Sequence, residues 1–402
     1  MAPATISSRY PRRVRIAVAF DCFYPLSTGG GERQYRLFAE TFAAQGWQVD
    51  YLTRRQWDGP APRVPGVDVV AVSGPTELYD AHGTRRPGAS LVFAWGLLRH
   101  LLRHRGRYDV VLVSALPALN VLAARAALLG SRTALCSDFL EVWRPAQWRE
   151  YSGPVVGRVA SALQRLAVRV SPWVSAHSQM NGGRLAAQGA RRAPLVSPGL
   201  IHGVEHLRFA ARAGSPPTLV YAGRHIADKR VESIPAALDV ARRAVPDLRA
   251  VILGDGPSRE HVRREVDRLG LGDVVELPGF VAQDDMERTV REAAVLVNPS
   301  RREGYGLVVV EACAVGTPVV LVRAPDNAST ELVEDGVNGF VASDASPDVL
   351  AAAVVAAVEG GDALRASARA WFERSARTRT AEAAALALLD ALGPARRGGA
   401  QR

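Results

Sequence analysis

Lysine is almost missing from this chain. Of its 50 basic residues, all are arginine except Lys229, in the stretch YAGRHIADKRVE. An arginine-saturated composition uses arginine wherever a generic positive charge serves, so a retained lysine is a candidate for chemistry that a planar guanidinium cannot do. An ammonium is a compact point charge with three rotatable donors, suited to packing between phosphate oxygens. Arg224, five residues earlier, follows a glycine at the end of an apolar run. Together they form a basic pair on a loop leaving a strand, which is what a diphosphate leaving group needs. The alternative is the chance survival of one surface lysine.

Other absences narrow the class further. Only 3 cysteines occur, Cys22, Cys136 and Cys313, too far apart for a CxxC or Cys/His cluster. They read as buried small hydrophobes of a reducing compartment, with neither a disulfide framework nor a metal site. No run approaches the roughly 18 uninterrupted apolar residues of a membrane span. Arg9, Arg12 and Arg13 precede no apolar segment of signal-peptide form. A cytoplasmic protein is expected, the alternative being one that also touches the inner membrane face. No DxD-type metal motif is present, and Asp284 and Asp285 read as a helix start, where acids favour the dipole. His100 and His104 share a helix face among Arg99, Arg103 and Arg105; a solvated basic face is preferred to a metal pair. Basic residues outnumber acidic ones by 50 to 40, a net charge of +10 that suits phosphate-bearing or anionic partners. The arginines are spread throughout, with no basic run interleaved by aromatics, so nucleic acid is not expected.

Across the 402 residues, short β-branched runs alternate with longer amphipathic segments. Strands are expected at 14–20, 47–53, 67–72, 109–114, 132–136 and 173–177, then at 218–222, 249–253, 273–277, 294–297 and 317–322. Helices fall between them at 32–45, 90–104, 117–129, 155–170 and 179–188, then at 232–244, 258–269, 284–293 and 328–333. The pattern is that of βαβ units and parallel sheets. Residues 198–216, with Pro and Gly at both ends and no clean period, read as a linker between domains at 1–197 and 217–391. The chain turns Ala-rich and helical after 343, and 392–402 read as a frayed tail. The expected fold is α/β, two Rossmann-like domains facing each other across a cleft, with ligands at the carboxyl ends of the strands.

The most specific stretch is NPSRREGYGLVVVEACAVGTPVV, residues 298–320. Glu303 and Glu311 lie eight apart, with Gly304, Tyr305 and Gly306 between them. A helix is expected from Gly306 and Leu307 onward, against the strand propensity of LVVV, with its N-terminus toward an anion. Glu303 should stay in the loop before it and Glu311 lie about one and a half turns in. One carboxylate could hold sugar hydroxyls and the other a ribose; the alternative is a helix start with two solvated acids.

This segment resembles glycosyltransferase family 4, retaining enzymes of the GT-B fold. GGGER at 29–33, GRHIADKR at 223–230, GDGP at 254–257 and PGF at 278–280 follow in that family's order, so the resemblance covers most of the chain. It implies a donor that is a nucleotide diphosphate sugar, no cofactor, no metal, and an acceptor that is a small molecule or lipid-linked. It implies that Gly29, Gly30 and Gly31 bring N–H groups against the diphosphate and that Arg224 and Lys229 neutralise the leaving β-phosphate. Glu303, with the Gly304–Leu307 backbone beside it, would contact the sugar, and Glu311 the ribose. Gly254 and Gly256 would allow close approach near the nucleoside, with Phe280 and Val281 bordering the base. Other readings left open are a nucleotide-sugar epimerase and an inactive nucleotide-sugar binder.

The chain departs from the family in SDFLEVW, 137–143, where Leu140 stands in the place of a histidine. Asp138 is expected to take over that role in catalysis, with Glu141 as the alternative. In the helix at 155–170, Arg158, Arg165 and Arg169 fall within roughly 40° of one another. Val156, Val159, Leu163, Leu166 and Val170 make an apolar stripe. That stripe is expected to pack on the sheet, the alternative being an interfacial helix on an anionic membrane.

Overall fold

The computed structural model describes residues 14–27, 29–78, 86–204 and 206–392. They form two compact units, one running to Leu200 and resuming at Arg379, the other spanning Ile201–Thr378.

The first unit contains β1 (Arg15–Ala19), α1 (Gly30–Ala44), β2 (Gln48–Arg54), β3 (Val67–Ser73), α2 (Pro87–Arg103), β4 (Val110–Ser114) and α3 (Ala118–Ala127). It continues with β5 (Ala134–Phe139), α4 (Pro145–Ser152), α5 (Pro154–Val170), β6 (Trp173–Ala176), α6 (Gln179–Ala187) and β7 (Leu195–Val196). Its seven strands are parallel, in the order β3-β2-β1-β4-β5-β6-β7. The direction of winding therefore reverses between β1 and β4. Helices α2, α3 and α5 bury Leu97, Val121 and Ala167 in one core with Ala17, Val111 and Val113 of the sheet. Helix α1 packs on β1 and β2 and stacks Tyr35 on Phe20.

The second unit holds β8 (Thr218–Ala222), α7 (Ser233–Ala241), β9 (Arg249–Leu253), α8 (Arg259–Arg268), β10 (Val275–Gly279), α9 (Gln283–Glu292) and β11 (Val295–Asn298). After these come β12 (Arg302–Glu303), α10 (Leu307–Val315), β13 (Val319–Val322), β14 (Asp326–Asn327), β15 (Gly339–Ala342), α11 (Pro347–Glu359) and α12 (Gly361–Ser375). Its six-stranded parallel sheet runs β10-β9-β8-β11-β13-β15 and reverses between β8 and β11. Alternate residues of the central strands β8, β11 and β13 enter separate cores: Leu219, Val295 and Val320 on one face, Val220, Leu296 and Val319 on the other. A strand with period-two geometry and helices on both sides must be apolar throughout.

Helix α10 forms where propensity favours a strand. Gly306, at φ 103°, begins it and Gly316, at φ 88°, ends it, with Thr317 N returning to Ala312 O. Val309, Val310 and Cys313 are buried, so tertiary packing outweighs the small helix penalty of β-branched residues.

Several expectations are corrected here. Residues 201–216 are not a free linker: Ile201 and Val204 lie in the second unit's core, Ala210 N donates to Val315 O, and Gly214 N to Glu292 O. The last helix, α13 (Ala381–Leu392), belongs to the first unit, not to the C-terminal domain, because it packs on α1 through Ala381, Ala384, Ala385, Leu388 and Leu389. The helix expected at 328–333 is a 3-10 turn, Ala328–Leu332, and α4, β7, β12, β14 and β15 were not anticipated. These strands have two to four residues, too short for a periodic signal. Of the expected tail at 392–402, Leu392 is the buried last residue of α13, and 393–402, like the basic residues before Val14, lie outside the described residues. Among the described residues, no helix is long and apolar enough to cross a membrane.

Candidate active site

In the second unit the winding reverses between β8 and β11, and in open α/β sheets ligands bind beyond the carboxyl ends of the strands at such a point. The chain leaving β8 makes a 3-10 turn at Ala227–Lys229 and passes through Arg230 in the left-handed region at φ 48°. The chain leaving β11 forms β12, paired with β14, before entering α10. These two segments meet. Lys229 Nζ forms an ion pair with Glu303 Oε1, and both side chains are largely shielded from solvent. The same oxygen accepts from Asn298 Nδ2 and Ser300 Oγ, each at 3.2 Å. Asp228 accepts from Arg301 Nε at 2.9 Å and Arg302 Nη2 at 2.5 Å, while its carbonyl accepts from Arg301 N. Asn327 donates to Ser300 O at 3.0 Å and Val322 O at 2.9 Å, tying the loop after β13 to that after β11.

Glu303 thus sits in a short strand, not a loop, and Glu311 lies half-buried a little over one turn into α10. Gly304, Tyr305 and Leu307 are half-buried between them, and Gly306 is buried. A Cβ at Gly306 would approach Ser329 Cβ to 2.5 Å, so glycine is required both by its φ and by that neighbour. Arg224 is exposed, and its carbonyl accepts from Tyr221 Oη at 3.0 Å.

Gly254 and Gly256 have a different explanation from the expected one. A Cβ at Gly254 would lie 1.9 Å from Gly223 O, and one at Gly256 2.5 Å from His225 O. Packing of the β9–α8 loop against the β8–α7 loop demands these glycines, and His225 N donates to Asp255 O at 2.8 Å across the same seam. His225 is fully buried, and burial lowers its pKa against the smaller effect of Leu253 O. Phe280 and Val281 stand at the end of β10, with Phe280 73% exposed.

In the first unit, Gly29 caps α1 while Gly30 and Gly31 occupy its first turn. The N-terminus there already faces an acid, since a Cβ on Gly29 would meet Glu32 Oε2 at 2.4 Å. Ser27 Oγ donates to Glu32 Oε1 at 3.1 Å. Leu140, in the place of the family's histidine, packs over Gly31, where a Cβ would come within 2.9 Å of its Cδ1.

The expectation for Asp138 is corrected. It is 0% exposed at the end of β5. It accepts from Tyr35 Oη at 2.7 Å and Ser175 Oγ at 2.6 Å, with His177 Nε2 at 3.0 Å. Burial alone would raise its pKa, but the His177 charge and these hydrogen bonds outweigh it and hold the carboxyl below its ordinary value. A carboxylate so enclosed organises the interior and presents no surface to a substrate. Glu141 is also engaged, accepting from Trp143 Nε1 at 2.6 Å.

Residues that sequence reasoning missed are Asp228, Asn298, Ser300, Asn327 and the buried Gln34–His177 pair, whose Nε2 atoms lie 2.6 Å apart. Asn298 and Ser300 flank a proline at a strand end, which was a usable signal; Asp228, adjacent to the one lysine, was another. His100 is turned to Tyr108 Oη at 2.9 Å, and His104 Nδ1 lies 2.9 Å from His100 O. Among the described residues, no group of three or more His, Cys, Asp or Glu converges as metal ligands would. All three cysteines are buried and free.

Residues 205–377 match the family described as Glycosyl transferases group 1, and residues 29–199 the Glycosyl transferase 4-like domain. The chain is 28% identical over 432 residues to a D-inositol 3-phosphate glycosyltransferase of Segniliparus rotundus, covering 98% of this chain and 92% of that one. It is 36% identical over 126 residues to an alpha-D-kanosaminyltransferase of Streptomyces kanamyceticus, a match spanning 31% of this chain and only 32% of that enzyme. Sucrose-phosphate synthase from Thermosynechococcus elongatus superposes with a TM-score of 0.77 at 18% identity, over 97% of this chain and all of the other. Anabaena HepE, solved in complex with UDP and glucose, superposes with a TM-score of 0.66 at 18% identity, over 95% of this chain and 100% of the other. With both units matched in sequence and the whole fold shared, this chain belongs to the group 1 glycosyltransferases, the family 4 type built on the GT-B fold.

Proposed function

We propose that this enzyme moves a sugar from a nucleoside diphosphate donor to an acceptor hydroxyl with retention at the anomeric carbon, and that it needs no metal. The observation that carries this reading is the Lys229–Glu303 pair at the winding reversal of the second sheet. An ammonium neutralised by a neighbouring carboxylate can be held in a half-buried site before substrate arrives. A diphosphate then competes for the ammonium, and Glu303 is released toward the sugar beside it. Arg224, exposed on the same loop, adds a second charge for the leaving phosphate. The Gly304–Leu307 backbone at the start of α10 adds N–H donors, and preorganised donors of this kind stabilise developing negative charge. Glu311 holds the ribose hydroxyls, and Phe280 and Val281 border the base.

Retention follows if the departing phosphate oxygen takes the acceptor's proton on the face it leaves, with no separate general base. Glu32 at the N-terminus of α1 opposes a second anion there. Gly29, Gly30 and Gly31 therefore meet the diphosphate only if that carboxylate turns away. The complex of HepE with UDP supports a nucleotide donor, and the name of the inositol phosphate enzyme supports a polar polyol acceptor. The acceptor is a small molecule or is lipid-linked, and in the second case the enzyme works against the inner membrane face; nucleic acid has no part in the reaction.

A thermal-shift screen of nucleotide sugars tests this. One donor and its nucleoside diphosphate should raise the melting temperature of the wild type, and the donor should be consumed once a matching acceptor is supplied. If no nucleoside diphosphate or its sugar stabilises the protein at millimolar concentration, the reading fails.

A further inference from the structure

Helix α5 does not pack as its sequence suggests. Its buried residues are Gly157, Gln164, Ala167 and Val168, leaving Val156, Val159 and Leu166 of the apolar stripe exposed and Leu163 and Val170 half-buried. Gly157 lets the helix close on α4, since a Cβ there would lie 2.4 Å from Trp148 O. Gln164 fills the interior with hydrogen bonds, accepting from Trp143 N and Trp148 Nε1 and donating to Trp143 O. Val155, Val159 and Leu166 are consequently exposed, Val155 by 69%. Helix α2 does the same with Leu91, Trp95 and Leu102, and Trp95 is 66% exposed. Eight of the fourteen exposed large hydrophobic residues among those described lie on these two helices.

The two helices belong to one layer. Both contribute to the core on the same face of the first sheet, and α3 packs between them against each. Their charge is one-sided: α2, α3 and α5 contain no Asp or Glu at all, while Arg99, Arg103, Arg158, Arg165 and Arg169 are exposed on α2 and α5. The nearest acid on the adjoining α4 is Glu150.

We infer that the outer faces of α2 and α5 together form the surface on which this protein lies against an anionic lipid bilayer. The inference rests on the proposed membrane-facing role and names the surface that performs it. Apolar side chains flanked by arginine, with a tryptophan among them, match the boundary between acyl chains and anionic headgroups. Long arginine stems reach upward to phosphates while their methylenes cover apolar surface. A second copy fits poorly. In a symmetric pair this face would meet itself, setting arginine rows opposite one another with no acid on α2, α3 or α5 to relieve them.

Cosedimentation with vesicles of phosphatidylcholine, alone or mixed equally with phosphatidylglycerol, tests the surface. Wild type should bind the mixed vesicles, weaken as salt rises, and ignore pure phosphatidylcholine. Replacing Arg158, Arg165 and Arg169 by glutamine should weaken binding by roughly two powers of ten. Leu91→Ser with Trp95→Ser should cost about tenfold or more. Leu26→Ser, exposed but outside both helices, should change nothing. Circular dichroism identifies variants that fail to fold; for those, the single variants Arg165→Gln and Trp95→Ser carry the test with smaller losses. Undiminished binding in both sets means that the surface is elsewhere on the protein. No binding by wild type to either vesicle overturns the membrane contact itself, and leaves the transfer reaction to be judged by the nucleotide screen. A concentration-dependent dimer abolished by Leu91→Ser and Trp95→Ser, without lipid binding, would give the face to a second copy. Capture by an acidic protein in place of lipid would overturn the assignment too.

Discussion

Lys229 Nζ meets Glu303 Oε1 across 74 residues of chain, joining the loop after β8 to the short strand after β11. Asn298 and Ser300 donate to the same oxygen, so three donors converge on one carboxylate oxygen and fix its orientation. Neither group is fully buried, which keeps the pair exchangeable for substrate. The pair's net worth to stability is accordingly modest, and its value lies in geometry.

Lys229→Arg should lower turnover by two to four powers of ten, on the order expected for losing one preorganised contact to developing charge. The charge is kept, but a wide planar fork replaces a compact donor against Glu303. Steady-state kinetics on the donor found by thermal shift decides it. Turnover close to wild type would remove the special role of the one lysine.

Glu303→Gln and Glu311→Gln should separate. A ribose contact is unchanged through the reaction, so Glu311→Gln raises the dissociation constant of the nucleoside diphosphate with less effect on turnover. Glu303 is proposed to lie where charge develops, so its replacement should mainly slow transfer. Calorimetric titration of the nucleotide alongside kinetics distinguishes them. The reverse pattern would exchange the two roles.

Transfer should persist in EDTA. Charge on the diphosphate is to be met by Lys229, Arg224 and the backbone at the start of α10, none of which needs an ion. Activity lost on chelation and restored by Mg²⁺ or Mn²⁺ would refute the metal-independent reading.

Acid should destabilise the first unit in a defined window. His100 is held down to about 4 from 6.5, by burial first and then by His104 and Arg107, against the opposing pull of Asp50. Its ring contacts Tyr108, whose hydroxyl donates to Asp50 at 2.6 Å. The unfolded chain takes up this proton below about 6.5 and the native state only below about 4, so stability falls as pH drops between those values. The melting temperature of His100→Gln should fall less steeply than that of wild type over this range. Parallel slopes for the two proteins would mean that the histidine is not the responsible group.

The order of strands and helices was legible because periods of two and 3.6 are local properties; β8 and β9 have the bounds that their β-branched runs suggest. Lys229, Arg224, Glu303 and Glu311 could be singled out as candidates, one by its rarity and the others by their spacing around glycines. What residues elsewhere in the chain would do with these elements was not. An amphipathic period says that a helix has two faces but not which one finds a neighbour. On α5 a glycine and a glutamine face inward because α4 and the tryptophans beside it supply close contacts and hydrogen bonds. Asp138 looked available beside a missing histidine, yet Tyr35, Ser175 and His177, contributed by α1, β6 and the residue after it, enclose it. Likewise α13 reads as an extension of the second unit until its alanine face meets α1. Sequence by itself determined the family and the longer strands and helices, and it singled out Lys229 and Glu303 separately; that the two meet was decided by the tertiary structure. Only the tertiary structure decided which side chains are enclosed and which face outward, because burial and hydrogen bonding are settled by partners far away in the chain.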